Sequence, residues 1–184
     1  MTASVSSVTP GVLVETSAAR VVEAPAVGRL SLRARGELAP FDAAFGAALP
    51  ARIGQRATSG AAEAIRLGPD EWTIIAPADQ LAAIIAAFAG IYAAHPHSLV
   101  DVSGREVTYA IDGLRAADLL TLGMARDVAS IPSGEGRRTV FDGVTVTLWR
   151  DGDARFRMDV WNSFAVHVLS LLVTGCRELA AETL

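Results

Sequence analysis

Apolar and polar residues alternate along several short stretches of the chain, and this pattern predicts strands with one buried face. The clearest stretch follows Gly28, where apolar residues at positions 30, 32 and 34 alternate with a serine and two arginines. A period of two residues is typical of a half-buried strand. The same pattern predicts further strands at residues 63–67, 71–76, 97–102, 106–111, 138–141, 144–149 and 155–160.

Turn-forming residues separate two pairs of these strands and predict two hairpins. Gly68-Pro69-Asp70 lies between the strands at 63–67 and 71–76, and Asp151-Gly152-Asp153 lies between those at 144–149 and 155–160. Gly, Pro and Asp favour the dihedral angles that a tight turn requires.

Four apolar segments predict helices, at residues 41–49, 81–94, 114–122 and 163–182. Pro40 favours the start of the first helix, because a missing N–H costs nothing at the first helical position. Asp79 precedes the second helix, where a negative charge suits the helix dipole. Asn162 is the predicted N-cap of the last helix.

The order strand, helix, strand, strand, helix occurs twice along the chain. Trp72 and Phe156, 84 positions apart (156 − 72), begin equivalent strands in the two halves. This order predicts an α+β fold built from a duplicated strand-helix-strand-strand-helix unit, with ferredoxin-like layers, an antiparallel sheet and helices on one face. Residues 28–184 are predicted to form a single domain of two repeats, 28–94 and 97–184. Residues 1–27 are predicted to be an extended N-terminal arm, ordered only through contacts with another surface.

Composition excludes several classes of function. The 184 residues carry a formal net charge of −4. This charge does not favour the basic face that a protein needs to bind nucleic acid or an anionic membrane surface. All sixteen basic residues are arginine, which excludes a lysine Schiff base and a P-loop lysine. The single cysteine, Cys176, allows no intramolecular disulfide. Residues 1–20 lack the basic start of a signal peptide, and the apolar run at 81–94 is shorter than the roughly 20 residues that span a bilayer. We expect a soluble, cytoplasmic protein.

Five short motifs follow one another from Leu67 almost to the end of the chain. They are 67–72 (LGPDEW), 97–103 (HSLVDVS), 113–120 (GLRAADLL), 148–150 (LWR) and 156–172 (FRMDVWNSFAVHVLSLL). In this combination and order the chain resembles the gamma subunit of heterotetrameric sarcosine oxidase. One segment departs from the family, because residues 123–128 read GMARDV where a Cys-Pro-Leu-Asp-Leu-like segment is usual. The resemblance is therefore compatible with a diverged member that serves a related demethylase.

The resemblance implies a non-catalytic subunit in a complex of four different chains. Its partners would be the alpha, beta and delta subunits, and FAD, FMN, NAD and tetrahydrofolate would bind to partner subunits, leaving no cofactor in this chain. The complex would demethylate sarcosine oxidatively to glycine, reduce oxygen to peroxide and transfer the one-carbon unit to tetrahydrofolate. The implied fold is half of a folate-binding aminomethyltransferase, akin to the T-protein of glycine cleavage.

Asp101 is the candidate residue for a folate pocket. Asp101-Val102-Ser103 resembles the Asp-x-Ser-His motif of the T-protein family, although Gly104 stands at the histidine position. The competing interpretation is that Asp101 and Ser103 form hydrogen bonds within a turn between two strands, as both residue types often do. His95, His97 and Asp101 have the types of a two-histidine, one-carboxylate metal site. Pro96 interrupts this set, and we predict no metal.

Two alternatives to a structural subunit stay open from the sequence. The first is a free-standing folate-binding or aminomethyltransferase-like protein, which would need an enclosed aromatic pocket with convergent polar groups. Aromatic residues make up only 6% of the chain, which does not favour such a pocket. The second is a homodimeric ferredoxin-like module that binds a small metabolite, which would bury the same patch on two copies.

Overall fold

A computed structural model describes residues 11 to 182 as eleven strands and four helices. The strands are Gly11–Glu15 (β1), Arg20–Glu23 (β2), Gly28–Arg33 (β3), Arg56–Ser59 (β4), Ala62–Gly68 (β5), Glu71–Ala76 (β6), Ser98–Asp101 (β7), Glu106–Asp112 (β8), Gly136–Phe141 (β9), Val144–Arg150 (β10) and Arg155–Trp161 (β11). The helices are Ala39–Phe45 (α1), Leu81–Ile91 (α2), Ala116–Thr121 (α3) and Ala165–Ala181 (α4). Short 3₁₀ turns precede α2 and α4, at Ala78–Gln80 and Asn162–Phe164.

The strands form two antiparallel sheets. The five-stranded sheet has the order β4-β5-β6-β3-β7, and the six-stranded sheet has the order β1-β2-β8-β11-β10-β9. Every strand pair is antiparallel. The prediction of an α+β fold with antiparallel strands is therefore confirmed at this level, although the strands divide between two sheets rather than one.

Each sheet buries one face under its own pair of helices. On the five-stranded sheet, Leu30, Leu32 and Trp72 pack with Phe41 of α1 and Phe88 of α2. On the six-stranded sheet, a core of strand residues packs with α3 and α4; its members include Tyr109, Ile111, Leu120, Met158, Val168 and Leu172. A third, smaller cluster joins the opposite faces of the two sheets, and consists of Ile65, Leu67, Ile75 and Trp149. The sequence predicts a single sheet, because the polar side of each predicted strand is expected to face solvent. In the structure, part of this polar side of the strands contacts the other sheet.

The predicted strands and hairpins lie within two residues of their observed bounds, whereas the helix ends differ more. The first helix ends at Phe45 rather than at residue 49. Gly46 adopts a left-handed conformation, with φ of 85°, and its N–H donates to the carbonyl oxygen of Asp42. This is a frequent C-terminal cap of helices. Asn162 does not cap the last helix as predicted, because its side chain donates instead to the carbonyl oxygen of Gly104.

The predicted N-terminal arm contains two strands that the sequence pattern did not predict. Within residues 11–23, β1 pairs with β2 and β2 pairs with β8, so this part of the arm is integral to the six-stranded sheet. Val21 is fully buried in the core. The expectation that the arm is ordered only by another surface is therefore wrong for residues 11–23, and its first ten residues lie outside the described part of the chain.

Gly113 explains why the GLRAADLL motif begins with glycine. Its φ is 133°, which favours glycine, and a Cβ there would lie 2.7 Å from the Cα of Ala19 and 2.8 Å from the carbonyl oxygen of Ala18. Arg115 donates its backbone N–H to the same oxygen of Ala18. The motif thus fixes the N-terminal strands against the start of α3.

Residues Asn162–Ala181 are long and apolar enough to cross a membrane by length and composition alone. In the fold, however, α4 is a core helix, because Val168, Leu172, Cys176 and Leu179 are buried against the six-stranded sheet. Its outer side carries polar residues such as Arg177 and Glu178. These features are those of an amphipathic helix that packs on a sheet.

Candidate functional site

Asp101 lies in a turn at the end of β7. Its Oδ1 accepts hydrogen bonds from the backbone N–H of Ser103 at 2.9 Å and from the Ser103 hydroxyl at 2.6 Å. The Ser103 hydroxyl oxygen in turn accepts the backbone N–H of Arg29 at 2.9 Å. The hydrogen bonds from the Ser103 hydroxyl and N–H lower the pKa of Asp101. The triplet thus joins the end of β7 to β3, as the turn interpretation of the sequence expects, and its proposed link to folate stays a prediction.

The two histidines near Asp101 pack against aromatic rings. The His97 ring lies edge-on to Phe41, Phe88 and Tyr92, with centroids 5.4 to 5.7 Å apart. Its Nδ1 lies 2.7 Å from the carbonyl oxygen of His95. Among residues 11–182, no group of three or more His, Cys, Asp and Glu side chains is arranged to hold a metal ion. His97 thus belongs to the packing of β7 against α1 and α2.

A buried ion pair connects the two sheets. Arg29 of β3 and Asp159 of β11 are 1% and 3% exposed, and Nη2 of Arg29 lies 2.7 Å from Oδ1 of Asp159. The same Oδ1 accepts the Thr108 hydroxyl at 2.6 Å, and Oδ2 accepts Nε1–H of Trp149 at 2.6 Å. Nε of Arg29 lies 3.2 Å from a carboxylate oxygen of Glu106. Both carboxylate oxygens of Asp159 are therefore satisfied inside the protein, which compensates much of the cost of burying the charge.

A second cluster of charges crosses between the sheets beside Trp149. Arg56 and Glu63 belong to the five-stranded sheet, Arg157 belongs to the six-stranded sheet, and Asp151 follows β10. Arg157 donates to Asp151 at 2.6 Å and to Glu63 at 2.9 Å, and Arg56 lies 2.7 Å from Asp151. The guanidinium carbons of Arg56 and Arg157 lie 5.3 and 4.8 Å from the ring centroid of Trp149. Such distances allow cation–π attraction.

A polar cavity of about 280 Å³ lies between the sheets, next to the Arg29–Asp159 pair. Its walls include Glu71 and Thr73 from one sheet and Arg138 and Thr147 from the other. Arg138 donates both terminal nitrogens to the carboxylate of Glu71, at 2.9 and 2.5 Å. The hydrogen bonds from Arg138 lower the pKa of Glu71, which therefore stays ionised at neutral pH. Besides apolar residues such as Leu67 and Val146, the cavity wall contains paired charges and hydroxyls, an arrangement suited to bound water and to holding the sheets together.

None of the residues in these two clusters was predicted from the sequence to form a site, although Asp151 lies in a predicted turn and Trp149, Arg157 and Asp159 lie in the quoted motifs. Arg29 precedes Leu30, and Asp159 stands between Met158 and Val160, so each has apolar neighbours in a predicted strand. This pattern is also that of any half-buried strand, in which the polar positions face solvent. The sequence signal for the clusters is therefore weak.

Glu23 has a buried carboxylate at the other end of the six-stranded sheet. It is 7% exposed, and its Oε2 forms no hydrogen bond with the described residues. Glu23 pairs with Tyr109, whose hydroxyl donates to the carbonyl oxygen of Ala165 at 2.9 Å. Burial raises the pKa of Glu23, and burial together with the charge of Glu23 raises that of Tyr109 to about 12.

We expect Glu23→Gln to stabilise the protein at pH 7 by about 1 kcal/mol, because an ionised carboxylate without a partner is costly to bury. The folded protein holds the Glu23 proton more tightly than the unfolded chain, so the stability lost to this group grows as pH rises through the interval between the two pKa values. The gain from glutamine should therefore disappear below about pH 4.5, the ordinary pKa of glutamate. Urea unfolding at pH 4 and pH 7 measures the difference.

Glu15→Gln is the matched control for this prediction, because the Glu15 side chain is 66% exposed and its ion pair with Arg20 is long, at 3.7 Å. The control should change stability by less than about 0.5 kcal/mol at either pH. A loss of stability for Glu23→Gln at pH 7 would contradict the account of this carboxylate.

An uncharged helix exposes one of its apolar sides. Residues 81–94 contain no charged side chain, and within α2 only Leu81 and Phe88 are buried. Ile85 and Tyr92 are 38% and 56% exposed. We call the exposed residues Ala82, Ile85, Ala86, Ala89 and Tyr92 the α2 surface. Exposed apolar surface of this kind commonly marks a site of interaction with another protein.

Proteins with similar sequences share one name. The chain is 28% identical over 146 residues to the sarcosine oxidase subunit gamma of Corynebacterium sp. strain U-96, which covers 78% of this chain and 70% of that subunit. It is 29% identical over 152 residues to the subunit of the same name from an Arthrobacter species, covering 79% and 72%. No protein-family model matches the sequence. The resemblance inferred from the five motifs is thus confirmed.

The fold recurs in solved structures of other proteins. A chain of the heterotetrameric sarcosine oxidase from Corynebacterium sp. U-96, in complex with pyrrole 2-carboxylate, superposes with a TM-score of 0.79 at 24% identity. The match covers 92% of this chain and 89% of that one. The glycine cleavage system aminomethyltransferase T from Bartonella henselae superposes with a TM-score of 0.61 at 16% identity, covering 86% of this chain and 46% of the transferase. The fold is therefore that of a sarcosine oxidase chain and of about half an aminomethyltransferase.

Proposed function

We propose that this chain is a non-catalytic gamma-type subunit of a heterotetrameric sarcosine oxidase. The observation that carries the proposal is the similarity to a chain of such an enzyme along nearly the full length of both, with a TM-score of 0.79. Relatives at 28 and 29% identity bear the name of this subunit. The complex would demethylate sarcosine oxidatively to glycine and pass the one-carbon unit to tetrahydrofolate.

The arrangement of polar groups supports a structural role. The charges between the sheets bind one another, as Arg29 does with Asp159 and Arg138 with Glu71. A carboxylate that acts as a general acid or base usually has a pKa near the working pH. The pKa of Glu71 is instead lowered by its hydrogen bonds from Arg138. Burial raises the pKa of Cys176, which makes its thiol a poor nucleophile. These groups are suited to holding a rigid two-sheet body in one shape.

The partners and cofactors follow from the same proposal. The alpha, beta and delta subunits would surround this chain, and FAD, FMN, NAD and tetrahydrofolate would be bound in those partners. The complex would be located in the cytoplasm. A rigid body without a cofactor of its own would help to assemble and position the cofactor-binding chains.

We also propose that the fold arose from a duplicated unit, as its two sheets suggest. The neighbours β4-β5-β6-β3 and β9-β10-β11-β8 follow the same order in the two halves. Arg66 and Arg150 are 84 positions apart (150 − 66), the same offset as Trp72 and Phe156. Each arginine donates Nε–H to the carbonyl oxygen two residues later, and each accepts at its own carbonyl a backbone N–H from a glycine with positive φ, which is Gly54 or Gly134. Such equivalent local hydrogen bonds favour a common ancestral unit.

The alternative function is folate binding by the free chain, and the likeness to about half of an aminomethyltransferase favours considering it. The candidate residue is Asp101. If the chain alone binds tetrahydrofolate, calorimetric titration of the isolated protein should give saturable heat that Asp101→Asn weakens by at least about tenfold, since a lost charged hydrogen bond is worth roughly 1.5–3 kcal/mol. The subunit proposal expects no such heat from either protein.

Purification of the tagged chain from its native cells tests the subunit proposal. The eluate should contain larger subunits and flavin absorbance, and it should produce peroxide from sarcosine. The isolated chain, expressed alone, should be colourless and produce none. Peroxide from the isolated chain would contradict the non-catalytic role, and a colourless eluate without other subunits would contradict membership of the complex.

A further inference from the structure

The α2 surface differs from the outer side of the equivalent helix in the other half. Both α2 and α4 follow the last strand of a hairpin and cover one face of a sheet. The exposed residues of α4 are the apolar Val166 and Ala181 together with the polar His167, Ser170, Thr174, Arg177 and Glu178, whereas those of α2 are only alanines, Ile85 and Gly90. A helix at the surface of a soluble protein normally keeps one polar face. Most of the outer side of α4 is therefore suited to water, whereas the outer side of α2, which has no charged residue, is suited to contact with another protein.

An open cavity of about 580 Å³ lies directly beside the α2 surface. Its walls are Ile85, Phe88, Ala89 and Tyr92 from the helix region and His97, Ser98 and Leu99 from the start of β7. Three of these seven residues have aromatic side chains or an imidazole ring, and none carries a carboxylate or a guanidinium group. A cavity with such walls accepts an aliphatic or aromatic side chain, which is the usual form of an interface anchor.

The strand next to this cavity also has a free edge. Within residues 11–182, β7 is the last strand of the five-stranded sheet and pairs only with β3. A free edge offers unpaired backbone N–H and C=O groups to another chain. The apolar helix, the cavity and the strand edge together form one continuous surface, because Ser98 and Leu99 of β7 line the same cavity as Ile85 and Tyr92.

Resting on the proposed function, we propose that the α2 surface and the adjoining edge of β7 are where a larger, non-identical subunit of the complex docks. The similar chain of known structure belongs to a heterotetramer, so the partners available to it are different chains. The absence of charge along residues 81–94 selects the chemistry of the partner. Its matching surface is aliphatic or aromatic and uncharged, because an unpaired charge buried against this helix would lack a counter-ion. One of its apolar side chains enters the cavity beside Ile85 and Tyr92.

Ala89→Arg is the variant that tests the docking surface. Ala89 is exposed and lines the cavity, so arginine there leaves the core of the domain intact while it adds a charge to the interface. Thr174→Arg on the exposed side of α4 is the matched control, since it adds the same charge to the polar helix. In a first assay, each variant is co-expressed with the other subunits, one of which carries the tag, and its recovery with the tagged subunit is compared with that of the wild type. In a second assay, each variant is purified alone, and its affinity for the complex that lacks this chain is measured.

We expect Ala89→Arg to weaken binding at least about 100-fold, as disruption of a central interface residue does, and Thr174→Arg to bind like the wild type. Thermal unfolding of the isolated variants should be unchanged, which separates lost docking from lost folding. Equal binding by both variants would overturn the proposal. Light scattering tests whether the wild-type chain forms a dimer. If it does, and if Ala89→Arg abolishes the dimer but not the complex, a second copy of the chain and not a larger subunit occupies the α2 surface. If the wild-type chain itself fails to bind, the proposed function fails, and the docking proposal that rests on it is overturned with it.

Discussion

Replacing Asp159 with alanine is expected to lower the free energy of unfolding by roughly 3–5 kcal/mol, the cost of leaving one charge of a buried pair without its partner. Arg29 is 1% exposed, and its Nη2 would lose the carboxylate 2.7 Å away. Trp149 and Thr108 would lose the acceptor of their hydrogen bonds at the same time. Urea unfolding followed by circular dichroism measures the loss.

Two further variants show whether the loss comes from the buried charge. Arg35→Ala is the surface control, because the Arg35 side chain is 87% exposed in its pair with Asp70, and it should cost less than about 1 kcal/mol. The double variant Arg29→Met with Asp159→Leu should recover much of the stability, since apolar residues of similar size often replace a buried ion pair without loss. An effect of Asp159→Ala no larger than that of Arg35→Ala would show that the pair does not stabilise the contact between the sheets.

Trp149→Ala is the second substitution with a large expected effect, a loss of roughly 3–5 kcal/mol. The Trp149 side chain is fully buried and belongs to the small cluster that joins the sheets through Ile65, Leu67 and Ile75. Its removal would leave a cavity at this contact and would take the ring away from the guanidinium groups of Arg56 and Arg157. Thermal and urea unfolding measure the effect.

Trp149→Phe separates packing from hydrogen bonding at the same position. Phenylalanine keeps much of the ring volume but cannot donate to Oδ2 of Asp159, so a loss of about 1–3 kcal/mol is expected. In a cycle with Asp159→Ala, the two losses should not add, because both remove the same hydrogen bond. Additive losses would mean that Trp149 and Asp159 act independently.

The sequence predicted the hairpins well because their strands alternate and their turns have specific residues. Gly68-Pro69-Asp70 marks one turn, and Asp151-Gly152-Asp153 marks the other. The sequence predicts strands less well where a strand is stabilised by residues that are distant in the sequence. The strands at Gly11–Glu15 and Arg20–Glu23 are short, and the second of them joins the sheet by pairing with β8, a partner far away in the sequence.

The contact between the sheets could not be predicted from alternation. Arg29 and Arg33 occupy equivalent polar positions of β3, yet their side chains are 2% and 53% exposed, because only Arg29 faces the second sheet. Nothing in the local sequence distinguishes the two residues. The turn interpretation of Asp101 agrees with the structure, since its hydrogen bonds with Ser103 follow from a two-residue spacing that the sequence displays.

The α2 segment also shows that burial cannot be predicted from the local sequence alone. Its composition predicts a helix, and an entirely apolar helix is normally a buried one. In the folded chain only one side of α2 meets the sheet, and the other remains exposed with Tyr92 at its end. The sequence contains the apolar pattern of a covered helix, and the cover that we propose is another chain.

Native mass spectrometry of the complex purified through a tag on this chain tests its role as a subunit. We expect a single assembly in which one copy of this chain is bound to three different chains, with flavin mass on the partners and none on this chain. If the chain is recovered alone, or only with further copies of itself, it is not a subunit of such a complex.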